Sequence, residues 1–328
     1  MVFVLLTVSS CSKQPENSSK ARQDTSDKNE RQFLSVGTAP PGGAFFVVGS
    51  AIAEVVGAHT KTNGWQISAE ATKGTQENLR RLDKGELDFA LANAAISYFA
   101  VRGEGKWEKS YPIRNVMTLA PNIALFITPT SSGIRSIMDL KGKRVVVGPA
   151  GAGFEYFIGP ILEAHGLTYD DIRPLYSTQA GAVDLLADKS ADAAFLGGAV
   201  PTASITQACA SQDITFIPFE AEAMDKLVAQ YPFFERKTIP ANTYKGQSAA
   251  FNGLNVGSMI LVTSESVSED MVYLFTKTLF ENKGEVVEKH PAGKAINPAN
   301  VIRATGTPFH PGAIRYYREQ GIWPTDEH

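Results

Sequence analysis

The sequence predicts an α/β protein built as two similar lobes with a cleft between them. Three observations predict it. Segments of strand character alternate with segments of helical periodicity along most of the chain, the pattern of α/β folds with mostly parallel sheets. Two glycine-rich stretches, residues 36–46 and 145–155, each read as a short β-run, a tight turn and an apolar-periodic helix. The chain also echoes itself. Leu82-Asp83-Lys84-Gly85-Glu86-Leu87-Asp88-Phe89-Ala90 resembles Leu186-Ala187-Asp188-Lys189-Ser190-Ala191-Asp192-Ala193-Ala194. Each copy is a helix end, a turn residue and an Asp entering a buried strand, and each follows its own glycine-rich turn.

Taken in order, residues 1–11 are an apolar run leading into Val8-Ser9-Ser10-Cys11. This resembles a bacterial lipoprotein signal, with cleavage before Cys11 and lipidation of its thiol. No Lys or Arg precedes the apolar run, where a signal peptide carries its basic n-region. A start further upstream would supply one; the alternative is a frayed apolar N-terminus. Residues 12–32 are polar and charged, too poor in apolar surface to fold, and are expected to be a disordered tether.

Residues 33–37 read as a strand and 45–59 as a helix with Val48, Ile52, Val55 and Val56 on one face. Residues 65–72 alternate, with Ile67, Ala69 and Ala71 inward. Thr75 is expected to cap a helix that ends before Gly85. A buried strand, 87–92, leads through Asn93 into a short helix; 116–120 and 123–128 are further strands, and 129–133 a linker. In the second half, a helix at 154–165 stops at Gly166. Strand 173–176, helix 179–188, strand 192–196, strand 214–219 and helix 220–231 follow. Pro201 suits a first helical turn. Residues 232–251 read as loop, and 256–263 as an apolar run between lobes. Ser268 opens a helix over 269–282, and His290-Pro291, Asn297-Pro298 and His310-Pro311 divide the helical remainder. The expected division is 33–127 with 256–328 in lobe 1 and 128–255 in lobe 2.

Several functions are disfavoured. Lys+Arg is 31 against Asp+Glu 34, so charge gives no reason to expect nucleic acid. No apolar run is long enough to span a bilayer as a helix. Cys11 and Cys209 make no disulfide framework, and Cys209 reads as a buried thiol. No serine elbow, zinc-binding H-E-x-x-H or phosphate-loop motif occurs, and residues 148–153 lack the dinucleotide spacing. His59, His165, His290, His310 and His328 are not paired at ligand spacing. The expectation is a protein without enzymatic activity, cofactor or metal.

Ligands of doubly wound sheets bind beyond the carboxyl ends of strands. Thr38, Asn93, Gly151 and Gly198 fall just past such ends. Helix N-termini add exposed N–H groups and a dipole that favours negative charge. The two glycine-rich turns are therefore expected to face each other across one small, anionic solute. Thr38, Gly42, Gly43, Phe45, Thr72 and Asn93 would line lobe 1; Gly151, Ala152, Gly153, Phe154 and Gly198 would line lobe 2. Phe45 and Phe154 shape the pocket or simply pack. The alternative is that the glycines only permit tight turns.

A family resemblance rests on eight segments in order. They are residues 37–46; Glu70-Ala71-Thr72-Lys73-Gly74-Thr75-Gln76-Glu77-Asn78-Leu79; Leu140-Lys141-Gly142-Lys143-Arg144-Val145; residues 148–153; Ala194-Phe195-Leu196-Gly197-Gly198; Tyr231-Pro232-Phe233; Ile239-Pro240-Ala241-Asn242-Thr243-Tyr244; and His310-Pro311-Gly312-Ala313. Together they resemble the solute receptors of TRAP transporters of the TAXI type, over residues 33–323. The resemblance implies a two-lobed, periplasmic-binding-protein-like (type II) fold and a cleft for a small organic acid or amino acid, glutamate-like or a dicarboxylate. It also implies delivery to the membrane permease subunits of a TRAP transporter. With Cys11 as lipid anchor, the protein would sit in the periplasm or outer envelope, touching the membrane through that anchor only.

The departures from the family pattern refine this. Pro40 and Pro41 lack N–H groups that the family keeps, which assigns most anion binding to 151–154 and leaves the first turn shape and Thr38. Phe45 and Phe46 replace tyrosines, Asn93-Ala94-Ala95 replaces Gln-Ser-Asp, and Lys73 replaces a glycine. These favour a ligand with carboxylates or an apolar part and no amine; Lys73 is otherwise a solvated loop lysine. A sensor with a signalling partner, or an enzyme on the same fold, are the alternative readings.

Overall fold

The structure, a computed structural model, describes Val2, residues 32–41 and residues 43–324. The signal-like segment with Cys11, the tether up to residue 31, and Gly42 lie outside the described residues. Gln32, assigned to the tether by sequence, already belongs to the first strand.

The first half builds one sheet. In order come β1 (Gln32–Gly37), α1 (Ala44–His59), β2 (Trp65–Glu70), α2 (Thr75–Asp83), β3 (Phe89–Asn93), α3 (Ala94–Arg102) and β4 (Ile113–Thr118). The chain then enters a second sheet. It forms β5 (Ile123–Pro129), β6 (Arg144–Val146), α4 (Glu155–Ala164), β7 (Arg173–Leu175), α5 (Gln179–Ala187), β8 (Ala193–Gly198), α6 (Ala203–Ser211), β9 (Ile214–Ile217), α7 (Ala221–Gln230), β10 (Phe234–Ile239) and β11 (Phe251–Val256). It returns to the first sheet with β12 (Met259–Ser264), then finishes with α8 (Glu269–Glu281), α9 (Lys283–Lys289), α10 (Pro298–Val301) and α11 (Pro311–Glu319).

The first sheet runs β2-β1-β3-β12-β4; the second runs β10-β11-β5-β8-β6-β7, with β9 also on β5. The sheets are mixed, not mostly parallel as the alternation predicts. β1 pairs parallel with β2 and β3, and β6 parallel with β7 and β8. The strands that bring the chain to and from the other sheet insert antiparallel: β12 against β3 and β4, and β5 against β8, β9 and β11. A strand entered from the other lobe needs no helical crossover, so nothing obliges it to run parallel.

Two local readings change, and a third, the run between lobes, is resolved into its parts. β5 hydrogen-bonds wholly within the second sheet, so sheet membership changes at 119–122, not between 127 and 128. Residues 232–251, read as loop because they are aromatic and basic, contain β10, whose exposed face carries Arg236 and Thr238 while Glu235 and Lys237 on the half-buried face form an ion pair at 2.5 Å. The apolar run 256–263 is the end of β11, a two-residue crossing and most of β12. Two smaller points follow. β2 is an edge strand whose inner face is covered only at its start: Trp65 is buried, Ile67 is half-buried against the core, and Ala69 is exposed. Gly74, not Thr75, is the N-cap of α2, while Thr202 precedes α6 with Pro201 outside it.

Local chemistry starts several helices. Ser268 Oγ accepts the Met271 N–H at 3.3 Å, and Glu269 and Asp270 complement the α8 dipole. His310 caps α11 by accepting the Gly312 N–H at 3.1 Å. The buried stripe of α1 then packs with α8 and α11 on one face of the first sheet, where Phe89 stacks on Phe275 at 3.9 Å. The other face carries α2 and α3, and its core runs without interruption into that of the second lobe.

Candidate functional site

Two short segments, 119–122 and 257–258, cross between the sheets and lie against one another. Leu119 N–H donates to Met259 O at 2.8 Å, Met259 N–H to Ala120 O at 2.9 Å, and Val256 N–H to Asn122 O at 2.9 Å. Side chains reinforce the pair. Asn122 N–H donates to Asn255 Oδ1 at 3.0 Å, and Asn255 Nδ2 to Ser258 Oγ at 2.9 Å. Arg303 donates to Ser258 Oγ and stands 3.6 Å from Glu235 in the second lobe.

Beside the crossings is a narrow recess, partly open to solvent. Ala44 and Phe45 at the start of α1 form one wall, and Gly198 at the end of β8 with Ala199 after it forms the other. Ala120, Pro121, Asn122 and Met259 form its floor. Both lobes, the first crossing and the first residue of β12 therefore contribute. Among the described residues no charged side chain lines it.

The structure places the sequence-derived site residues unequally. Phe45 and Gly198 meet in this recess, and Gly43 is the N-cap of α1 beside it. Thr38 is fully buried, and its hydroxyl donates to Glu70 O at 2.7 Å. Thr72 Oγ donates to Thr38 O at 3.1 Å and accepts from Gly74 N–H at 3.1 Å, so both threonines tie loops within lobe 1. Asn93 is a bracket. Its Oδ1 accepts the N–H groups of Ala95 at 2.9 Å and Ile96 at 3.3 Å, capping α3, while Nδ2 donates to Gly257 O at 2.8 Å on the second crossing.

The second glycine-rich turn divides likewise. Gly151 is exposed, and Ala152 is buried, with its N–H on Pro149 O at 3.2 Å. The Phe154 ring lies over Gly148, where a Cβ would come within 2.3 Å of it, and packs on Phe157 at 5.0 Å. Phe154 thus packs inside lobe 2. Gly153 faces lobe 1 closely: a Cβ there would come within 3.0 Å of Gln76 Nε2 and Ile96 Cδ1.

Four polar residues of this region escaped the sequence reading. Gln76 Nε2 donates across the lobes to Glu155 Oε1 at 3.4 Å. Gln179 holds Gly197 from both sides, donating to its carbonyl at 2.8 Å and accepting its N–H at 3.2 Å. Asn122 and Asn255 join the crossings. Gln76 and Gln179 both stand at helix starts beyond strand ends, the signal that singled out Thr38 and Asn93.

The two facing helix starts differ in charge. α1 is 16 residues long with no acid in its first turn and no side-chain cap. The N–H groups of Ala44 and Phe45 have no acceptor among the described residues. α4 opens with Glu155, whose carboxylate already occupies its positive end and lies 3.9 Å from Lys106 Nζ. Beside it, burial pushes the Tyr156 phenol up, so the neutral hydroxyl accepts the Lys106 N–H at 3.1 Å. Burial likewise lowers the Arg303 guanidinium.

Two mixed sheets joined by paired crossings, with a recess between the lobes, define the solute-binding-protein fold. Solved structures agree. The chain superposes on the alkanesulfonate-binding protein SsuA from Xanthomonas axonopodis pv. citri bound to MOPS with a TM-score of 0.51. Identity is 16%, covering 89% of this chain and 91% of that one. The binding protein component of an ABC phosphonate transporter from Pseudomonas aeruginosa gives 0.51 at 12% identity, covering 89% and 96%. CAE31940 from Bordetella bronchiseptica RB50 gives 0.54 at 14%, covering 90% and 91%. The model of the NMT1-like family matches residues 36–321, and the chain belongs to that family.

Proposed function

We propose that this chain is an extracytoplasmic solute receptor that takes a small organic acid between its lobes and presents it to a membrane permease. The observation that carries this reading is the recess, built jointly by the N-terminus of α1, the end of β8, the first crossing and the start of β12. As it stands, about 10 Å³ of it is free for a water-sized molecule, room for roughly one water, so a solute enters only when the lobes part. The α1 N-terminus supplies N–H groups and a positive dipole end for the acid group. Phe45, Ala44 and Met259 supply an apolar surface for the rest. The acid end is thereby assigned to Gly43, Ala44 and Phe45, because Glu155 would repel an anion at α4. Thr38, Thr72 and Asn93 then support the walls.

The finer reading follows the sequence resemblance: a TAXI-type receptor serving a TRAP permease, anchored through Cys11 in the periplasm or outer envelope, with a dicarboxylate or glutamate-like solute. Among the described residues no helix is long and apolar enough to cross a membrane. The sulfonate and phosphonate named for the structural neighbours favour a second reading, an ABC-type partner and a different acid group. Calorimetry on protein stripped of solute tests both, using dicarboxylates, glutamate, alkanesulfonates and alkylphosphonates. Binding of one class at micromolar concentration is expected. A folded protein that binds none of them would overturn the receptor reading.

A further inference from the structure

On the face of the first sheet opposite α1, the face that carries α2 and α3, the lobes share an apolar seam. Tyr98 and Phe99 on α3, and Trp107 in the loop after it, belong to lobe 1. They meet Tyr156 on α4 and Tyr231 and Phe233 at the corner between α7 and β10, all in lobe 2. Ring centroids lie 5.2 Å apart for Tyr98–Phe233, 5.4 Å for Phe99–Tyr156, and 5.9 Å for both Phe99–Tyr231 and Trp107–Tyr156. Trp107, Tyr156 and Phe233 are buried. The backbone follows the rings: a Cβ on Gly105 would meet Tyr156 at 2.8 Å, and one on Gly306 would meet Pro232 at 3.0 Å.

Separating the lobes along this line would expose a continuous core to water, an unfavourable transfer that grows with apolar area. The α1 side is different. The recess walls there are small residues with one phenylalanine. The two borders of the cleft therefore differ greatly in the cost of parting.

We infer that the aromatic seam keeps the lobes joined on the α3 side, so that the cleft opens for solute only at the mouth between the start of α1 and the turn after β8. The inference rests on the reading of this cleft as the solute site, but its test needs no solute. Lobe motion is then a one-sided gape about the seam and the crossings, and the moving border carries Phe45 and Gly198.

The test uses Trp107 as reporter in the solute-stripped chain, with Trp65→Phe and Trp323→Phe removing the other tryptophans. The expected result is blue-shifted emission and acrylamide quenching several-fold weaker than in urea. Emission and quenching near those of the denatured chain, with native far-ultraviolet circular dichroism, would overturn the inference. Should those substitutions unfold the protein, hydrogen exchange on the wild-type chain decides. The Lys106 amide, bonded to Tyr156, is expected to exchange far more slowly than the exposed Gly151 amide; equal rates overturn the seam. A shielded Trp107 in a protein that binds no acid would reject the receptor reading and leave the seam standing.

Discussion

Gly153 in the second lobe closely faces Gln76 in the first: a Cβ built on Gly153 would lie 3.0 Å from Gln76 Nε2 and 3.0 Å from Ile96 Cδ1. Gly153 also holds φ +89, where a side chain is strained. Gly153→Ala is expected to cost about 1–2 kcal/mol for the backbone alone and to press the lobes apart at this border. Gly151→Ala is the control, since Gly151 shares a positive φ of +75 but a Cβ there meets nothing within 4 Å. Both variants should lower the urea midpoint. Only Gly153→Ala should also enlarge the radius of gyration by solution scattering; equal radii would deny that this contact holds the cleft shut.

Asn93 serves two elements with one side chain, capping α3 and bonding Gly257 on the second crossing. Asn93→Ala should lose the cap and the buried bond, about 2 kcal/mol together. Asn93→Asp keeps an acceptor for the cap but sets a carboxylate against the Gly257 carbonyl. It should lose stability too, and solute binding with it if the crossing sets lobe closure. Urea melts with calorimetry on both variants separate the two roles. An aspartate variant with wild-type affinity and stability would show that the bond to Gly257 does no positioning.

Much of the fold was legible in the sequence because periodicity and caps are local. The helices of the first and second α/β units, Asn93 as a helix start and the Ser268 cap all follow from neighbouring residues. Strand direction was not legible, because β5 and β12 owe their orientation to the crossings, which no local pattern marks. β10 was hidden by Glu235, Arg236 and Lys237, charges that one half-exposed strand tolerates. At the site, glycines and threonines were visible as turn residues. Whether a hydroxyl faces the cleft or a neighbouring carbonyl, as Thr38 faces Glu70, depends on contacts 32 residues apart. Gln76 and Glu155 meet only once the lobes are in place.

Two buried histidines predict how stability changes with pH. Burial lowers both His165 and His310, although hydrogen bonds to backbone carbonyls partly oppose it. Their bonding explains why the neutral ring is preferred. His165 Nδ1 lies 2.7 Å from Ile161 O, and Nε2 accepts the Glu220 N–H at 3.0 Å. His310 Nε2 lies 3.0 Å from Val267 O, and Nδ1 accepts the Gly312 N–H. Protonation would turn each accepting nitrogen into a donor facing another donor. The unfolded chain therefore binds protons first, and stability present above about pH 6.5 falls as pH drops below it. Asp192, held below the ordinary carboxylate range by Arg144, stays ionised through that window. The urea midpoint should fall between about pH 8 and about pH 5, and less steeply in His165→Gln and His310→Gln. A flat profile would contradict the burial of the neutral rings.

The assignment of the acid group to α1 makes a prediction with two opposite signs. Ala44 is the first residue of α1 and lines the recess. Ala44→Asp places a carboxylate at a helix N-terminus that has no acid in its first turn, and should stabilise the folded protein by about 0.3–1 kcal/mol. The same carboxylate would occupy the positive end of the helix and repel an anionic solute. Affinity for the acid that wild-type protein binds should fall about tenfold or more, roughly 1.4 kcal/mol. Ala44→Asn, which is uncharged, should weaken binding less, and the gap between the two variants should narrow in high salt as screening grows. Denaturant melts and calorimetry on the same preparations provide both readouts. An aspartate variant that is more stable yet binds unchanged would move the acid group away from α1 and back towards the turn at Gly151, Ala152 and Gly153.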